Sequence, residues 1–509
     1  MCEAPWRRTA ALWLISIAMI LEPAFILLGP LPEAPPQAAA ATAWKPRGTA
    51  ACSLRSAAGG ARTNRGRLVA VGDIHGEAVG LLEVLWRAGT LEADPRGESV
   101  QAGSEFERCA DAGVDGCRPW AERVCAWGGQ RPHSGGGGGG GSGGSNATSK
   151  LVQVGDIMDR GAHSLQAWAC LDAQQRSAPP GAVVRLVGNH ELMWLGGRFR
   201  YANRADTPPR IASLNAAVRD GILSGRVVAA HVEMLGGGHG GNGNGNGNGN
   251  ATSNNATMLF THAGLRADML DLLAREIRAA KAAEVAEAAA VAAFVKGAAA
   301  NGGGRAGAGG KAGAAVTAFE IAAHLNRMLK DQVRACSPPR CSFSHEAFDA
   351  GPERGGKRIG GPYWTDFSVL KGQKRWRAPA WPPPSAEAEA FEHTVVQIVG
   401  HSAARCTLES DPRCSPIQVT EGLASIDVDA AMYRGGRAFL SLQDNIFSMH
   451  AKTSSTPEQW DNLDLSDALC SGGNKEAQMP LSKRERAILK SKQRQGEQER
   501  AGPSSPITL

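Results

Sequence analysis

The stretch LVQVGDIMDRG, Leu151 to Gly161, joins a short apolar run to a turn that carries two carboxylates and a guanidinium. A run that brief, rich in branched side chains and ended by glycine, reads as a strand buried on both faces of a sheet. The polar residues follow its carboxyl end, where open α/β sheets bind their ligands. The same pattern recurs along the chain. LVAV (Leu68–Val71) runs into GDIHG (Gly72–Gly76), and VVRLV (Val183–Val187) runs into GNHE (Gly188–Glu191). MLFT (Met258–Thr261) precedes His262-Ala263-Gly264, and VVQIV (Val395–Val399) precedes Gly400-His401-Ser402. Residues Gly80 to Ala88, Ser164 to Gln175 and Thr317 to Arg334 place apolar side chains at helical spacing, and Asp268 to Ala300 reads as one long, Ala-rich surface helix. Strands alternating with helices give an α/β class.

Taken singly, Asp73, Asp156 and Asn189 are ordinary turn or cap residues, and His75, His262 and His401 are ordinary structural histidines. Delivered together by five strand ends, they are candidate ligands of a two-metal site, with Asp159, Arg160 and His190 beside them. Carboxylate and imidazole donors suit manganese, iron or zinc. A carboxylate shared by two such ions sets them about 3.5–4 Å apart, close enough to bind phosphate oxygens and to turn a bridging water into hydroxide for in-line attack on phosphorus. Glycines beside the ligands let the backbone turn sharply enough to aim the side chains into one pocket.

At these residues the chain resembles the calcineurin-like metallophosphoesterase superfamily: GDIHG, GDIMDRG, GNHE, THAGL (Thr261–Leu265) and VGHS (Val399–Ser402) match its motifs. The Asp159-Arg160 pair and Glu191 point to the phosphoprotein phosphatases, and the Shewanella-like branch is the most similar. Its further elements are echoed by Leu325-Asn326-Arg327, by Gly361-Pro362-Tyr363-Trp364, and by Ile426-Asp427-Val428 through Met432-Tyr433-Arg434. The resemblance covers about Leu68 to Leu442 once low-complexity insertions are removed.

It implies a four-layer α/β/β/α sandwich with loop insertions, and a metal-dependent phosphomonoesterase akin to the serine/threonine phosphatases, acting on phosphoprotein or phosphopeptide esters, with the choice between serine/threonine and tyrosine phosphate left open. Two divalent ions are implied, manganese, iron or zinc. Asp73 and His75 would hold the first, Asp156 would bridge, and Asn189, His262 and His401 would hold the second. Arg160 would clamp the phosphate, a task suited to a planar guanidinium. His190 would protonate the leaving alkoxide with Asp159 orienting its ring, Glu191 would stabilise the loop, and Trp364 would wall the pocket.

One departure stands out: Thr365-Asp366 follows Trp364 where the family usually places a second phosphate-binding arginine, and Arg375 or Arg377 are the nearby candidates to replace it. Two other functions stay open. A dinucleotide polyphosphate hydrolase would share the fold, although that branch tends to carry Asn-Arg in place of Asp159-Arg160 and GNHD in place of GNHE. An inactive phosphoprotein-binding module would agree with the missing arginine.

Composition limits the remaining choices. The 509 residues are 42% hydrophobic and 20% charged, which supplies a core and excludes a fibrous or unfolded chain. A net charge of +6 is too mild for a dedicated nucleic-acid binder, so no nucleic-acid partner is expected. Residues 1–33, with Arg7 and Arg8 ahead of the uncharged run Thr9 to Leu21, read as a signal peptide or a membrane-embedded signal-anchor. Residues 34–67 are basic and free of acids, like a transit segment or a basic linker. The expected address is the secretory pathway or a membrane-anchored lumenal position, or else an organelle such as a plastid reached through a two-part leader. Sequons at Asn146, Asn250 and Asn255 suit a glycoprotein, and local disulfides Cys336–Cys341 and Cys406–Cys414 suit an oxidising lumen. One catalytic domain is expected over 68–450, with insertions at about 101–150, 236–256 and 296–315 and a polar tail over 451–509. The Cys-containing first insertion is expected to loop out at the rim of the site.

Overall fold

Leu68–Val71 (β1), Lys150–Gln153 (β2), Val183–Leu186 (β3) and Val227–Val228 (β4) lie side by side and parallel in a computed structural model of the chain. The model describes residues 66–92, 94, 104–129, 149–234, 257–298, 316–336, 341–350, 360–370, 395–403, 417–420, 425–443, 446–452 and 460–464. A second sheet is built on Ala230–Met234 (β5), Thr257–Thr261 (β6), Val395–Val399 (β7), Gln418–Val419 (β8) and Ser425–Asp427 (β9), in the order β5-β6-β7-β9-β8. The chain then returns to the first sheet. Ala438–Gln443 (β10) pairs antiparallel with β1, Leu442 opposite Leu68, and Ile446–Lys452 (β11) and Trp460–Asp464 (β12) extend that edge.

Period-two alternation sorts the strand side chains between two interiors. Ala70, Val152, Val154, Val184 and Leu186 of the first sheet cluster with Met258, Phe260, Val396, Ile398 and Ile426 of the second, which makes the layer between the sheets. Val69, Val71, Leu151 and Val183 point the other way, into a cluster with Leu81 and Leu85 of helix α1 (Ala78–Arg87) and with Trp168 and Leu171 of α4 (Ser164–Ser177). On the second sheet, Leu259 and Val395 join Leu270 and Leu273 of α7 (Ala267–Ala298) and Ile321 and Leu325 of α8 (Ala318–Ala335). Helix, sheet, sheet, helix is the four-layer α/β/β/α order the motifs implied.

Asn326 explains the Leu325-Asn326-Arg327 element. Its Oδ1 accepts from the amides of Ala229 and Ala230 at 2.8 and 3.0 Å, and its Nδ2 donates to the Ala230 carbonyl at 3.0 Å. Those residues lie where the chain leaves β4 for β5, so one half-buried amide satisfies the backbone that crosses between the sheets.

The structure departs from the expected organisation at two places. Residues 104–129 are not a loop at the rim: Glu105–Arg108 (α2), a 3₁₀ turn at Cys109–Ala112 and Gly113–Val124 (α3) bury Phe106, Cys117 and Trp120 in the helical layer. Disulfides Cys109–Cys117 and Cys125–Cys170 staple this segment, the second to α4. Its cysteines and aromatics gave it an apolar face, which the neighbouring glycine run obscured. The domain also runs past residue 450, because β11 and β12 complete the sheet edge to Asp464. Cys336 pairs with Cys341 as expected, and the long surface helix is α7. Among the described residues, no helix is long and apolar enough to cross a membrane. The leader, the three sequons, the Cys406–Cys414 pair, Arg375, Arg377 and the tail beyond 464 lie outside the described residues.

Candidate metal centre

The loops after the strands hold their side chains at a cost. His75, Asp156, Asp159, Arg160 and His401 all have positive φ, between 51° and 83°, a region non-glycine residues seldom occupy. Backbone hydrogen bonds impose it: the Asp156 carbonyl accepts from Ile74 and His75, and the His75 carbonyl accepts from Gly161. Two glycines are required by close approach. A Cβ on Gly188 would sit 2.1 Å from Asp156 Oδ1, and one on Gly400 would sit 2.4 Å from Asp73 Oδ1.

All six candidate ligands converge. Asp156 is at the centre, its Oδ2 lying 3.4 Å from His262 Nε2, 3.6 Å from His75 Nε2 and 3.8 Å from His190 Nε2. Two groups of ligand atoms share it: His75, Asp156 and His190, and Asp156, His262 and His401, each within 4.8 Å. Asn189 Oδ1 lies 2.9 Å from His262 Nε2 and 3.0 Å from His401 Nδ1. Asp73 Oδ2 is 3.7 Å from His75 Nε2, and its carboxylate accepts from the His401 amide at 3.0 and 3.1 Å.

The electrostatics favour cations. Burial pushes the Asp73 carboxyl well up, and the nearby charges of Asp429 and Asp156 push it further. Asp429, which no sequence motif marks, is pushed up to about 6, mainly by burial. Asp156 is equally buried, yet the imidazoles of His262, His190 and His75 hold it well below the usual carboxylate range. Burial pushes His75 well down, so its ring is neutral and ready to ligate. Buried carboxylates crowded with imidazoles and a side-chain carbonyl form a donor set that fits divalent metal ions.

Beside the candidate ligands is a carboxylate–imidazole pair. Asp159 Oδ2 lies 2.7 Å from His190 Nδ1 and accepts from Trp194 Nε1 at 3.3 Å. The Ser164 hydroxyl accepts from the Asp159 amide at 3.1 Å, and Asp159 Oδ1 accepts from the Arg160 amide at 3.0 Å, so both residues are clamped from below. The Arg160 guanidinium reaches within 3.4 Å of His190 Nε2. Glu191 faces away from this chemistry, accepting from the amides of Gly188, Asp156, Ile157 and Met158 at 2.7 to 3.3 Å.

Two aromatic residues complete the pocket. Tyr433 stacks under Arg160 with Cζ 4.5 Å from the ring centroid, and Tyr201 stands 5.7 Å from the same Cζ and 5.2 Å from the His190 ring. Tyr433 lies in the closing segment Met432-Tyr433-Arg434, and the one sequence signal at Tyr201 is its place in the basic, aromatic run Arg198-Phe199-Arg200-Tyr201. Trp364 is buried with its ring 6.2 Å from that of His401. The Thr365 hydroxyl turns inward to the Gly361 carbonyl at 3.1 Å and offers nothing to the pocket.

No family model matches the chain. Over 62 residues it is 36% identical to Shewanella-like protein phosphatase 2 of Arabidopsis thaliana, a match spanning 12% of this chain and 16% of that protein. Among solved structures, a cold-active protein-tyrosine phosphatase of a psychrophilic Shewanella species aligns over 78% of this chain and 80% of its own, at 15% identity and TM-score 0.36. A putative diadenosine tetraphosphatase aligns over 82% and 97% of the two chains, at 12% identity and TM-score 0.24. Overlaps this loose carry no weight for fold or function; the short segment match is to the same branch that the motifs resemble.

Proposed function

We propose that this chain is a metal-dependent phosphomonoesterase acting on phosphoprotein esters. The observation that carries the reading is Asp156, one carboxylate that faces His75 and His190 in one group and His262 and His401 in another. Asp73, His75 and Asp156 would hold one divalent ion, and Asp156, Asn189, His262 and His401 the second, with manganese, iron and zinc the fitting classes. When bound, the ions supply Lewis acidity toward phosphate oxygens and a water of lowered pKa as nucleophile.

The side chains supply the rest. Arg160, backed by the Tyr433 ring, presents its guanidinium to two phosphate oxygens. His190 offers a proton at Nε2 to the departing oxygen while Asp159 receives the Nδ1 hydrogen, which fixes the ring's orientation. Such an acid matters when the leaving group is a basic alkoxide. It matters little for a dinucleotide polyphosphate, whose leaving phosphate needs no proton, and the built Asp159–His190 pair therefore favours the monoester reading. Three disulfides among the described residues agree with an oxidising compartment, and we place the protein in the secretory route or an organelle fed by it.

The test is direct. Purified protein loaded with manganese should hydrolyse an aryl phosphate and phosphopeptides in preference to diadenosine polyphosphates. A chain inert with manganese, iron and zinc alike contradicts the reading.

A further inference from the structure

Among the described residues, Thr365-Asp366 stands after Trp364 where the resemblance leads one to expect a second arginine, yet the described rim is not poor in guanidinium. Arg198, Arg200 and Arg204 follow the helix that carries Asn189 and His190 (α5, Asn189–Leu195), and all three are exposed, as is Arg434 beside Tyr433. The loop is tied to the site at two points: the Arg160 amide donates to the Tyr201 carbonyl at 3.0 Å, and Asn203 Nδ2 donates to the Arg160 carbonyl at 2.7 Å. It cannot swing away without moving Arg160.

Two of these arginines stand one ring away from the phosphate clamp. Arg200 Cζ lies 4.5 Å from the Tyr201 ring and Arg160 Cζ 5.7 Å from the same ring, so the two guanidiniums are no more than about 10 Å apart. Arg434 and Arg160 lie 5.1 and 4.5 Å from the Tyr433 ring, which sets the same limit. Apart from these rings, Arg200 and Arg434 have no side-chain partner among the described residues. No acid lies between Gly196 and Ala205 or between Ala430 and Leu442 to neutralise them. The one carboxylate at the loop's end, Asp206, is buried and accepts from the Asn203 amide. Phe199 and Tyr201, 37% and 41% exposed, supply apolar surface between the charges.

Unpaired cations that flank a phosphate clamp are arranged to meet further negative charge on the same ligand. Resting on the phosphoprotein reading above, we infer that this rim selects phosphopeptides with Asp or Glu close to the phosphorylated residue, Arg200 and Arg434 each receiving one such carboxylate. An extended chain advances about 3.3 Å per residue, so a reach of at most about 10 Å addresses acids within three residues of the phosphoresidue. The exposed aromatics fit a peptide, which brings backbone and side-chain surface to them, better than a small free phosphate ester.

The experiment compares two phosphopeptides of equal length, one with Asp and Glu and one with Lys and Arg within three residues of the phosphoresidue, together with an aryl phosphate. With the manganese-loaded chain at low salt, kcat/KM for the acidic peptide should exceed that for the basic one by about fivefold or more, as two exposed ion pairs would give. Raising the salt to about 0.5 M should shrink that ratio, since exposed pairs are screened. The Arg200→Glu/Arg434→Glu double variant should bring the ratio to one or invert it, and Arg200→Gln/Arg434→Gln should fall between. A chain that hydrolyses aryl phosphate and treats both peptides alike overturns this inference alone, as does a ratio that survives the charge reversal. A chain inert toward all three substrates overturns the phosphatase reading and this inference with it.

Discussion

Asp159 Oδ2 lies 2.7 Å from Nδ1 of His190, and the opposite nitrogen of that ring points at Asp156 from 3.8 Å. One imidazole thus faces two buried carboxylates, and in the proposed reaction Asp159 would orient it. Asp159→Asn leaves the metal ligands untouched, so ion content should be unchanged. Turnover of an alkyl phosphoserine should fall about 100-fold, the scale of general-acid catalysis, and turnover of an aryl phosphate with an acidic leaving group should fall much less. Equal losses on both substrates would show that the pair does not protonate the leaving group, and loss of an ion from His190→Ala would make His190 a ligand.

Glu191 is buried and accepts from four amides, those of Gly188, Asp156, Ile157 and Met158. Glu191→Ala strands these donors away from water, and at about 1–3 kcal/mol per unsatisfied buried group the chain should lose at least about 3 kcal/mol of stability. Urea unfolding measures it. A loss under about 1 kcal/mol would mean that water or a backbone shift replaces the carboxylate.

Much of the fold and of the centre is legible in the sequence, and the reasons for the rest are physical. Asp73, His75, Asp156, Asn189, His262 and His401 sit at the ends of apolar runs, so a short local pattern locates each, and the structure brings all six together. Asp429 and Tyr201 have no comparable local signal. Asp429 matters because burial brings it beside Asp73, and Tyr201 because a hydrogen bond of its carbonyl to the Arg160 amide places its ring. The segment 104–129 is not legible locally because helix-forming residues next to a glycine run look like part of the run, whereas the disulfide from Cys125 to Cys170 and the burial of Trp120 hold it in the helical layer.

Gly188 lies against Asp156, and a Cβ there would meet Asp156 Oδ1 at 2.1 Å and Asp156 N at 2.3 Å. Gly188→Ala should therefore displace Asp156, weakening metal retention and turnover together, although the added side chain is a single methyl. Calorimetric titration with manganese reads the affinity. Unchanged affinity would mean that the loop after β3 gives way without moving Asp156.

Asp206 supplies a pH signature away from the ligands. Burial raises its carboxyl from the usual 3.8 to about 6. The folded chain therefore holds this proton more tightly than the unfolded chain. Its contribution to stability is complete below the unfolded value and is lost as pH rises through about 6. Asp206→Asn keeps an oxygen for the Asn203 amide and cannot ionise, so it should flatten stability between pH about 4 and 6 and raise it relative to the parent at neutral pH. Parallel stability curves for the two proteins would contradict the assignment.

The most direct measurement is ion content and turnover on the same sample, for the parent chain and for Asp156→Asn. The parent, stripped by chelation and reloaded with manganese, should bind two ions per chain and regain hydrolysis of an aryl phosphate. Asp156→Asn should bind no more than one and lose turnover by about 1,000-fold or more, the scale expected when an electrostatic keystone of a phosphoryl-transfer site is removed. Turnover that survives chelation, or an Asp156→Asn chain that keeps both ions and full activity, would contradict a metallophosphoesterase centre built on Asp156.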